Sequence, residues 1–210
     1  VQLSSELTVL AAMLDAIAEG SRHTRDFTLN GCRDALTVLV ACFPVYRTYI
    51  TENRVSEEDR RYIDWAVAQA KKRSPAADVS IFDFVRETLL DGPLSPNDVF
   101  RRRATHFAMK FQQYTSPVMA KALEDTAFYV YNRLVSLNEV GGDPRRFAIT
   151  PSAFHHANLE RQRHWPHGML ATSTHDAKRS EDVRARINVL SEMPALWRKH
   201  LARWAQINKG

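Results

Sequence analysis

Apolar side chains in the first half of the chain recur at intervals of three and four residues. Near the start, Leu7, Leu10, Leu14 and Ile17 follow this spacing. Residues at that spacing share one face of an α-helix, so an amphipathic helix is predicted there, with Ser4 or Ser5 as its cap and Gly20 after its end. Similar patterns over roughly the first 110 residues predict a region that is helical apart from one short strand.

Four more helices are predicted in this region, each from an apolar stripe and a polar or proline residue at its ends. The second helix is capped by Asp26 and ends near Pro44, and the third runs from Ser56 to about Arg73. The fourth runs from Ile81 to Leu90, and residues 95–98 cap the fifth. Between the second and third helices, residues 43–50 are aromatic and β-branched, which favours the short strand.

The composition of the chain changes after Gln113. Residues 141–144 contain two glycines and a proline and predict a sharp turn. Residues 168–174 are predicted to form a buried strand. Helices are predicted for residues 152–163, 179–190 and 195–207.

Length and composition indicate a globular chain. The 210 residues are 44% hydrophobic and 25% charged, which is close to the average for globular proteins and suits one domain, or one domain and an appendage. No apolar run approaches the roughly 20 residues that a membrane span needs, and the first residues lack a signal-peptide pattern. A cytoplasmic location is therefore expected. The two cysteines, Cys32 and Cys42, are expected to be buried and reduced.

The net charge of +5 raises the question of nucleic-acid binding. Basic residues are interleaved with acidic ones, and only Arg101, Arg102 and Arg103 form a compact basic run. This distribution is typical of solvated helix faces. No nucleic-acid partner and no membrane partner are expected, and a nucleic-acid binder would show affinity that falls steeply with salt.

Two segments place ionisable residues directly after an apolar, strand-like run. The first carries Lys121, Glu124 and Asp125, and the second carries His175, Asp176, Lys178, Arg179, Glu181 and Asp182. In a βα-barrel, side chains at the ends of strands converge on the mouth of the active site. A carboxylate accepts hydrogen bonds from sugar hydroxyls, and an imidazole offers a directional donor.

Local structure offers a competing explanation for the same residues. Asp176 is also a good helix N-cap, and charges such as Glu124 and Asp125 are favoured at a helix start by the helix dipole. Lys178, Arg179, Glu181 and Asp182 would equally suit a solvated first turn. The spacing of these residues leaves both interpretations open.

Other chemistries find little support in the sequence. The histidines show no ligand-like cluster, so no metal site is expected. There is no glycine-rich phosphate loop and no Gly-x-Ser-x-Gly nucleophile motif. No cofactor is expected.

Five segments carry a resemblance to a known family. They span residues 26–50, 109–121, 124–129, 132–144 and 171–186. From about residue 20 onwards the chain closely resembles the maltooligosyl trehalose synthases of the α-amylase superfamily. Ser116 and Ala122 stand where family members often have glycine, and Ala177 stands where threonine is common.

The resemblance implies an intramolecular transglucosylase, a (1→4)-α-D-glucan 1-α-D-glucosylmutase. Such an isomerase converts the reducing-end α-1,4 bond of a maltodextrin into the α,α-1,1 bond of trehalose. The implied fold is mainly α, with a helical insertion over residues 1–108 and a partial sector of a (β/α)8 barrel, with a few short strands, over residues 109–210.

The resemblance also assigns roles to the charged residues. Asp176 would be the catalytic carboxylate that grips sugar hydroxyls, His175 would bind substrate beside it, and the other charged residues of both segments would bind substrate. The nucleophile and the acid/base of this retaining mechanism would lie in an earlier part of the family's sequence. The chain alone is therefore expected to be inactive, with a maltodextrin and the remainder of its own chain as partners.

A helical interaction module without catalysis is the alternative from a different class. It would keep the sequence of the family and lose the reaction. A parent reading frame that encodes the missing carboxylates would separate the two.

Overall fold

The computed structural model describes residues 3–74 and 79–209. It divides into two compact units, Val1–Ala122 and Leu123–Gly210. The described residues are mainly helical, which confirms the predicted fold class. The helix Asp98–Met119 runs through position 108 without a break. The first compact unit ends at Ala122, which is 14 residues after position 108, where the sequence predicted the change from a helical insertion to a barrel sector.

Over its described residues, 3–74 and 79–122, the first unit contains five α-helices. They are α1 (Ser4–Ala18), α2 (Leu29–Ala41), α3 (Glu57–Arg73), α4 (Ser80–Leu90) and α5 (Asp98–Met119), with a 3₁₀ turn at Gly92–Leu94. The α1 helix packs on α2 and α5, α3 packs on α2 and α4, and α4 packs on α5. Every helix predicted in this region is confirmed.

The helix ends depart from the predicted caps in two places. Leu3, with φ of 68°, holds the N-cap position of α1, and it makes no side-chain cap. Thr28 rather than Asp26 caps α2, by accepting a hydrogen bond from the N–H of Gly31. Ser56 caps α3 as predicted.

One contiguous apolar core fills the first unit. Its largest fully buried side chains include Phe82, Phe107 and Phe111, and the ring of Phe43 meets Phe111 edge to face at 5.4 Å. Burial of aromatic side chains of this size supplies much of the stabilisation of a core. Both cysteines are buried and free, as predicted. Burial, helped by the negative charge of Asp15, raises the pKa of Cys32 to about 11.

The strand predicted at residues 43–50 is not formed. The segment is an ordered, non-repetitive loop, followed by an isolated bridge between Thr51 and Arg54. The side chain of Gln112 pairs with both backbone groups of Ile50, accepting from its N–H at 2.6 Å and donating to its carbonyl at 3.1 Å. A side chain of α5 thus takes the place that a neighbouring strand would have filled.

Three ion pairs join α3 to α4 or to the residue that follows α4, and a fourth joins α4 to that residue. The pairs are Lys71 with Asp83, Arg86 with Asp64, Arg86 with Asp91, and Arg60 with Asp91. We call this set the α3–α4 ion ladder. Three of its pairs share Arg86 or Asp91 as a partner, which distinguishes them from isolated surface pairs.

The second unit is held mainly by polar contacts. Its helices are the short α6 (Phe128–Val130), α7 (Pro151–His164), α8 (Glu181–Val189) and α9 (Pro194–Ile207), with a 3₁₀ turn at Val135–Leu137 that packs on α8. None of α7, α8 and α9 has a buried residue. The turn predicted at residues 141–144 is confirmed, with Gly141 at φ of 70°.

The buried strand predicted at residues 168–174 is also not formed. This segment is irregular and exposed, and the side chains of Met169 and Leu170 are 94% and 73% exposed. A strand needs backbone partners on a neighbouring strand, and the described residues hold no sheet that could supply them. No described helix combines the length and the apolar character that a membrane crossing requires.

Candidate substrate-binding site

A π-helical segment presents the first group of predicted site residues. The segment Ala120–Ala127 continues α5 without a break, where the sequence had suggested the end of a strand. Pro117, three residues before it, has no N–H to donate to the preceding turn, which weakens the regular α-helical ladder there. Such π-helical turns occur frequently at functional sites. Lys121 lies on this segment and is exposed.

Lys178 connects the two predicted groups within the second unit. Its Nζ lies 3.7 Å from Oε2 of Glu124 and 3.6 Å from Oδ1 of Asp125. Glu124 is buried, and the side chain of Lys178 is only 15% exposed. One ammonium therefore faces two carboxylates across a separation of more than 50 residues in sequence. In a partly desolvated place such charges attract more strongly than at the surface.

Glu139 holds the backbone next to Lys178. One of its carboxylate oxygens accepts from the N–H of Lys178 at 2.7 Å, and the other accepts from the N–H of Arg179 at 3.4 Å. The guanidinium of Arg184 lies 3.6 Å away. Burial alone would raise the pKa of Glu139, but the backbone donors and Arg184 outweigh it, so its pKa lies below the ordinary value. Glu139 therefore stays ionised near neutral pH.

A glycine turn follows Glu139 and fixes its backbone. The N–H of Gly142 donates to the carbonyl of Glu139 at 2.8 Å. A side chain at Gly142 would place its Cβ 2.9 Å from the carbonyl oxygens of Glu139 and Leu137, so only glycine fits. Asn138 is buried and donates to the carbonyls of Phe128 and Tyr131, both at 2.8 Å.

The remaining predicted residues of the second group lie around this frame. The guanidinium of Arg179 donates to the carbonyl of Val135 at 3.3 Å, and Glu181 accepts a hydrogen bond from Thr172. Glu181 and Asp182 both stand in the exposed first turn of α8, where the helix dipole favours negative charge. These contacts fold the loop of residues 172–179 against the 3₁₀ turn and the start of α8.

His175 and Asp176 lie at the open side of this loop. Their side chains are 97% and 72% exposed, and Nε2 of His175 is 3.7 Å from Oδ1 of Asp176. Because α8 begins at Glu181 and Ser180 holds its N-cap position, Asp176 is not the cap of a helix. The helix-cap interpretation of Asp176 is therefore wrong, and its functional role stays a prediction.

The sequence analysis missed Glu139 and Asn138 as parts of this arrangement. Both lie in a segment that carried the family resemblance, but their partners are 7 to 40 residues away in sequence. Local spacing does not reveal contacts of that range. The available signal was the pair of glycines directly after them, which marks a fixed turn. Over residues 3–74 and 79–209, no group of three metal-ligating side chains converges.

Comparisons with known proteins identify related sequences. Two curated relatives named maltooligosyl trehalose synthase, from two strains of Mycobacterium tuberculosis, are each 56% identical over 94 residues. The matched part is 45% of this chain and 12% of each relative. No family-level sequence profile matches the chain.

Solved structures extend the similarity to nearly the whole chain. A point mutant of maltooligosyltrehalose synthase from Arthrobacter ramosus matches 96% of this chain with a TM-score of 0.72 and 39% identity. A hypothetical maltooligosyl trehalose synthase of Sulfolobus tokodaii matches 97% with a TM-score of 0.60 and 31% identity. The chain spans 23% and 27% of those two proteins.

Proposed function

Because this chain is a homologue of a segment of the maltooligosyl trehalose synthases, we propose that it is part of an enzyme of that reaction type. The reaction moves the reducing-end glucose of a maltodextrin from an α-1,4 to an α,α-1,1 linkage. The substrate class is therefore a linear α-glucan, and the reaction is an isomerisation within one molecule.

The observation that supports this proposal is the pair of ionic contacts by which Lys178, from the second predicted group, binds Glu124 and Asp125 of the first group. Glu124 and Asp125 come from the π-helical segment, and Lys178 comes from the loop that also carries Asp176. A cluster of alternating charge beside an exposed carboxylate provides both donors and acceptors for sugar hydroxyls.

Each residue has a chemical task in this proposal. Asp176 holds sugar hydroxyls in the subsite where the glycosyl intermediate forms, and its charge stabilises the positive transition state. His175 donates a hydrogen bond beside it. The acceptor side is lined by the remaining predicted residues, namely Lys121, Glu124, Asp125, Lys178, Arg179, Glu181 and Asp182.

The proposal assigns the rest of the reaction to the rest of the parent protein. The nucleophile and the acid/base belong to regions of the family that the resemblance places before this segment. The chain alone therefore has no transglucosylase activity, and the remainder of its own chain is its partner. In the parent, residues 1–108 form a helical insertion and residues 109–210 form a barrel sector. The cytoplasmic location stays a prediction.

The test is the variant Asp176→Asn in the full-length parent enzyme. It keeps the size of the side chain and one acceptor but removes the charge. We expect turnover of maltodextrin to fall by about 10²–10³-fold, the scale of losing one preorganised electrostatic contact. The melting temperature should stay within about 2 °C, because Asp176 caps no helix.

Two controls complete the experiment. Glu192→Gln removes an exposed carboxylate from the same unit and should leave turnover unchanged. The 210-residue chain alone should produce no trehalose-ended dextrin. Near-normal turnover of folded Asp176→Asn would contradict the proposal, and a parent frame without the missing carboxylates would favour the helical interaction module.

A further inference from the structure

Glu139 makes contacts that connect three parts of the second unit. Its carboxylate accepts hydrogen bonds from the backbone N–H groups of Lys178 and Arg179, and the guanidinium of Arg184 on α8 lies 3.6 Å from it. The side chain of Glu139 is 16% exposed. The N–H of Val140 also donates to this carboxylate, at 3.0 Å. A carboxylate with three backbone donors and a guanidinium is fixed in both position and orientation.

The backbone N–H groups of Lys178 and Arg179, which donate hydrogen bonds to Glu139, belong to the loop that carries Asp176. Lys178 follows Asp176 by two residues, so fixing the N–H of Lys178 limits where the Asp176 backbone lies. The same contact sets the start of the Lys178 side chain, whose ammonium reaches Glu124 and Asp125. Both carboxylate oxygens of Glu139 accept hydrogen bonds from backbone N–H groups.

The backbone around Glu139 itself is also held by hydrogen bonds. Gly142 donates to the carbonyl of Glu139, in a turn too tight to accept a Cβ at position 142. The side chain of Asn138, the residue before Glu139, donates hydrogen bonds to two backbone carbonyls. A rigid segment on one side and a non-repetitive loop on the other is the arrangement expected of a support for a site.

We propose that Glu139 is a positioning residue, which acts through the Lys178–Arg179 backbone to hold Asp176 and Lys178 in place for the reaction. This inference rests on the proposed function, because it assigns Asp176 the catalytic task. Glu139 does not touch the substrate in this role. A displacement of the Asp176 carboxylate by about 1 Å would be enough to lower turnover by roughly 10²-fold.

The experiment uses the full-length parent enzyme and a double-mutant cycle. Glu139→Gln keeps the size of the side chain but replaces one acceptor oxygen with an amide that opposes the N–H of Arg179 and the charge of Arg184. We expect kcat to fall by about 10–10²-fold with KM changed by less than about threefold. Glu160→Gln, which breaks an exposed pair with Arg163 on α7, should change neither constant.

The cycle separates positioning from general stability. If Glu139 acts through Asp176, adding Glu139→Gln to Asp176→Asn should cost less than about threefold more, since the group that it positions is already disabled. A purely structural role would lower the melting temperature and would reduce activity equally in both backgrounds. Should Glu139→Gln fail to fold, Glu139→Asp, which keeps the charge but is one methylene shorter, is measured in the same way.

The outcomes distinguish this inference from the proposed function. Normal turnover of Asp176→Asn would end the proposed function, and the inference with it. Impaired Asp176→Asn together with near-normal Glu139→Gln would overturn the inference alone. Fully multiplicative losses in the double variant would overturn it as well. Loss in Glu139→Gln that disappears in the Asp176→Asn background supports it.

Discussion

At the scale of single residues, buried polar side chains replace missing backbone partners. Gln112 is 2% exposed and satisfies both the N–H and the carbonyl of Ile50. The primary amide of a glutamine carries a hydrogen-bond donor and an acceptor in one plane, so a single side chain can pair with both backbone groups. The loop of residues 43–50 is therefore held by side chains of other elements, Gln112 among them, rather than by its own tendency to form a strand.

Replacing Gln112 tests this specification. Gln112→Leu leaves two buried backbone groups unpaired, and we expect the free energy of unfolding to fall by about 2–4 kcal/mol. Gln113→Leu is the matched control. Gln113 is exposed and makes no pair comparable to that of Gln112, so its replacement should change stability by less than about 0.5 kcal/mol. Urea unfolding of the chain measures both. Equal effects of the two substitutions would show that the Ile50 contacts do not stabilise the loop.

At the scale of elements, local signals predicted helices well and strands badly. The α3 helix was predictable because Ser56 and Asp59 form a capping box within four residues of sequence. The strands at residues 43–50 and 168–174 were not, because β-propensity describes a side chain that fits a half-buried sheet, and these segments have no sheet beside them. The π-helical segment was missed for another reason: its apolar run matched a strand, while the helix that continues into it begins more than 20 residues earlier.

Asp59 joins an element to the loop before it. Its carboxylate accepts from the N–H and hydroxyl of Ser56 and also from the N–H of Tyr49 at 2.8 Å. Asp59→Ala should therefore lower the free energy of unfolding by about 2–4 kcal/mol, from the lost cap and the unpaired Tyr49 N–H. Glu58→Ala, on the exposed side of the same turn, should cost less than about 0.5 kcal/mol. Chemical denaturation of both variants is the measurement, and similar midpoints would refute the double role.

At the scale of the whole molecule, the two units differ in how they are held. The first has a contiguous apolar core, whereas α7, α8 and α9 of the second bury no side chain. The clusters of charge that form the candidate site were foreseeable, since both groups follow apolar runs in the sequence. Their supports, Glu139 and Asn138, were not, because they are defined by contacts across the unit and by no local pattern.

Hydrogen exchange should reveal this difference in the isolated chain. Helices of about 14 residues are marginal in water unless tertiary packing stabilises them. Amides of α7 and α9 should exchange roughly a hundredfold or more faster than those of α2 and α5, relative to intrinsic rates measured in denaturing urea. Mass spectrometry of peptic peptides would give the rates. Equal protection in both sets would show that the second unit is stabilised by more than the contacts described.

The α3–α4 ion ladder gives the first unit a particular response to heat. The hydration of charged groups becomes less favourable as temperature rises, so the cost of bringing such groups together falls. Arg86 and Asp91 each serve two partners, so one ordered side chain supports two attractions. The share of stability that comes from the contact between α3 and α4 should thus grow on warming, and added salt should remove most of that gain.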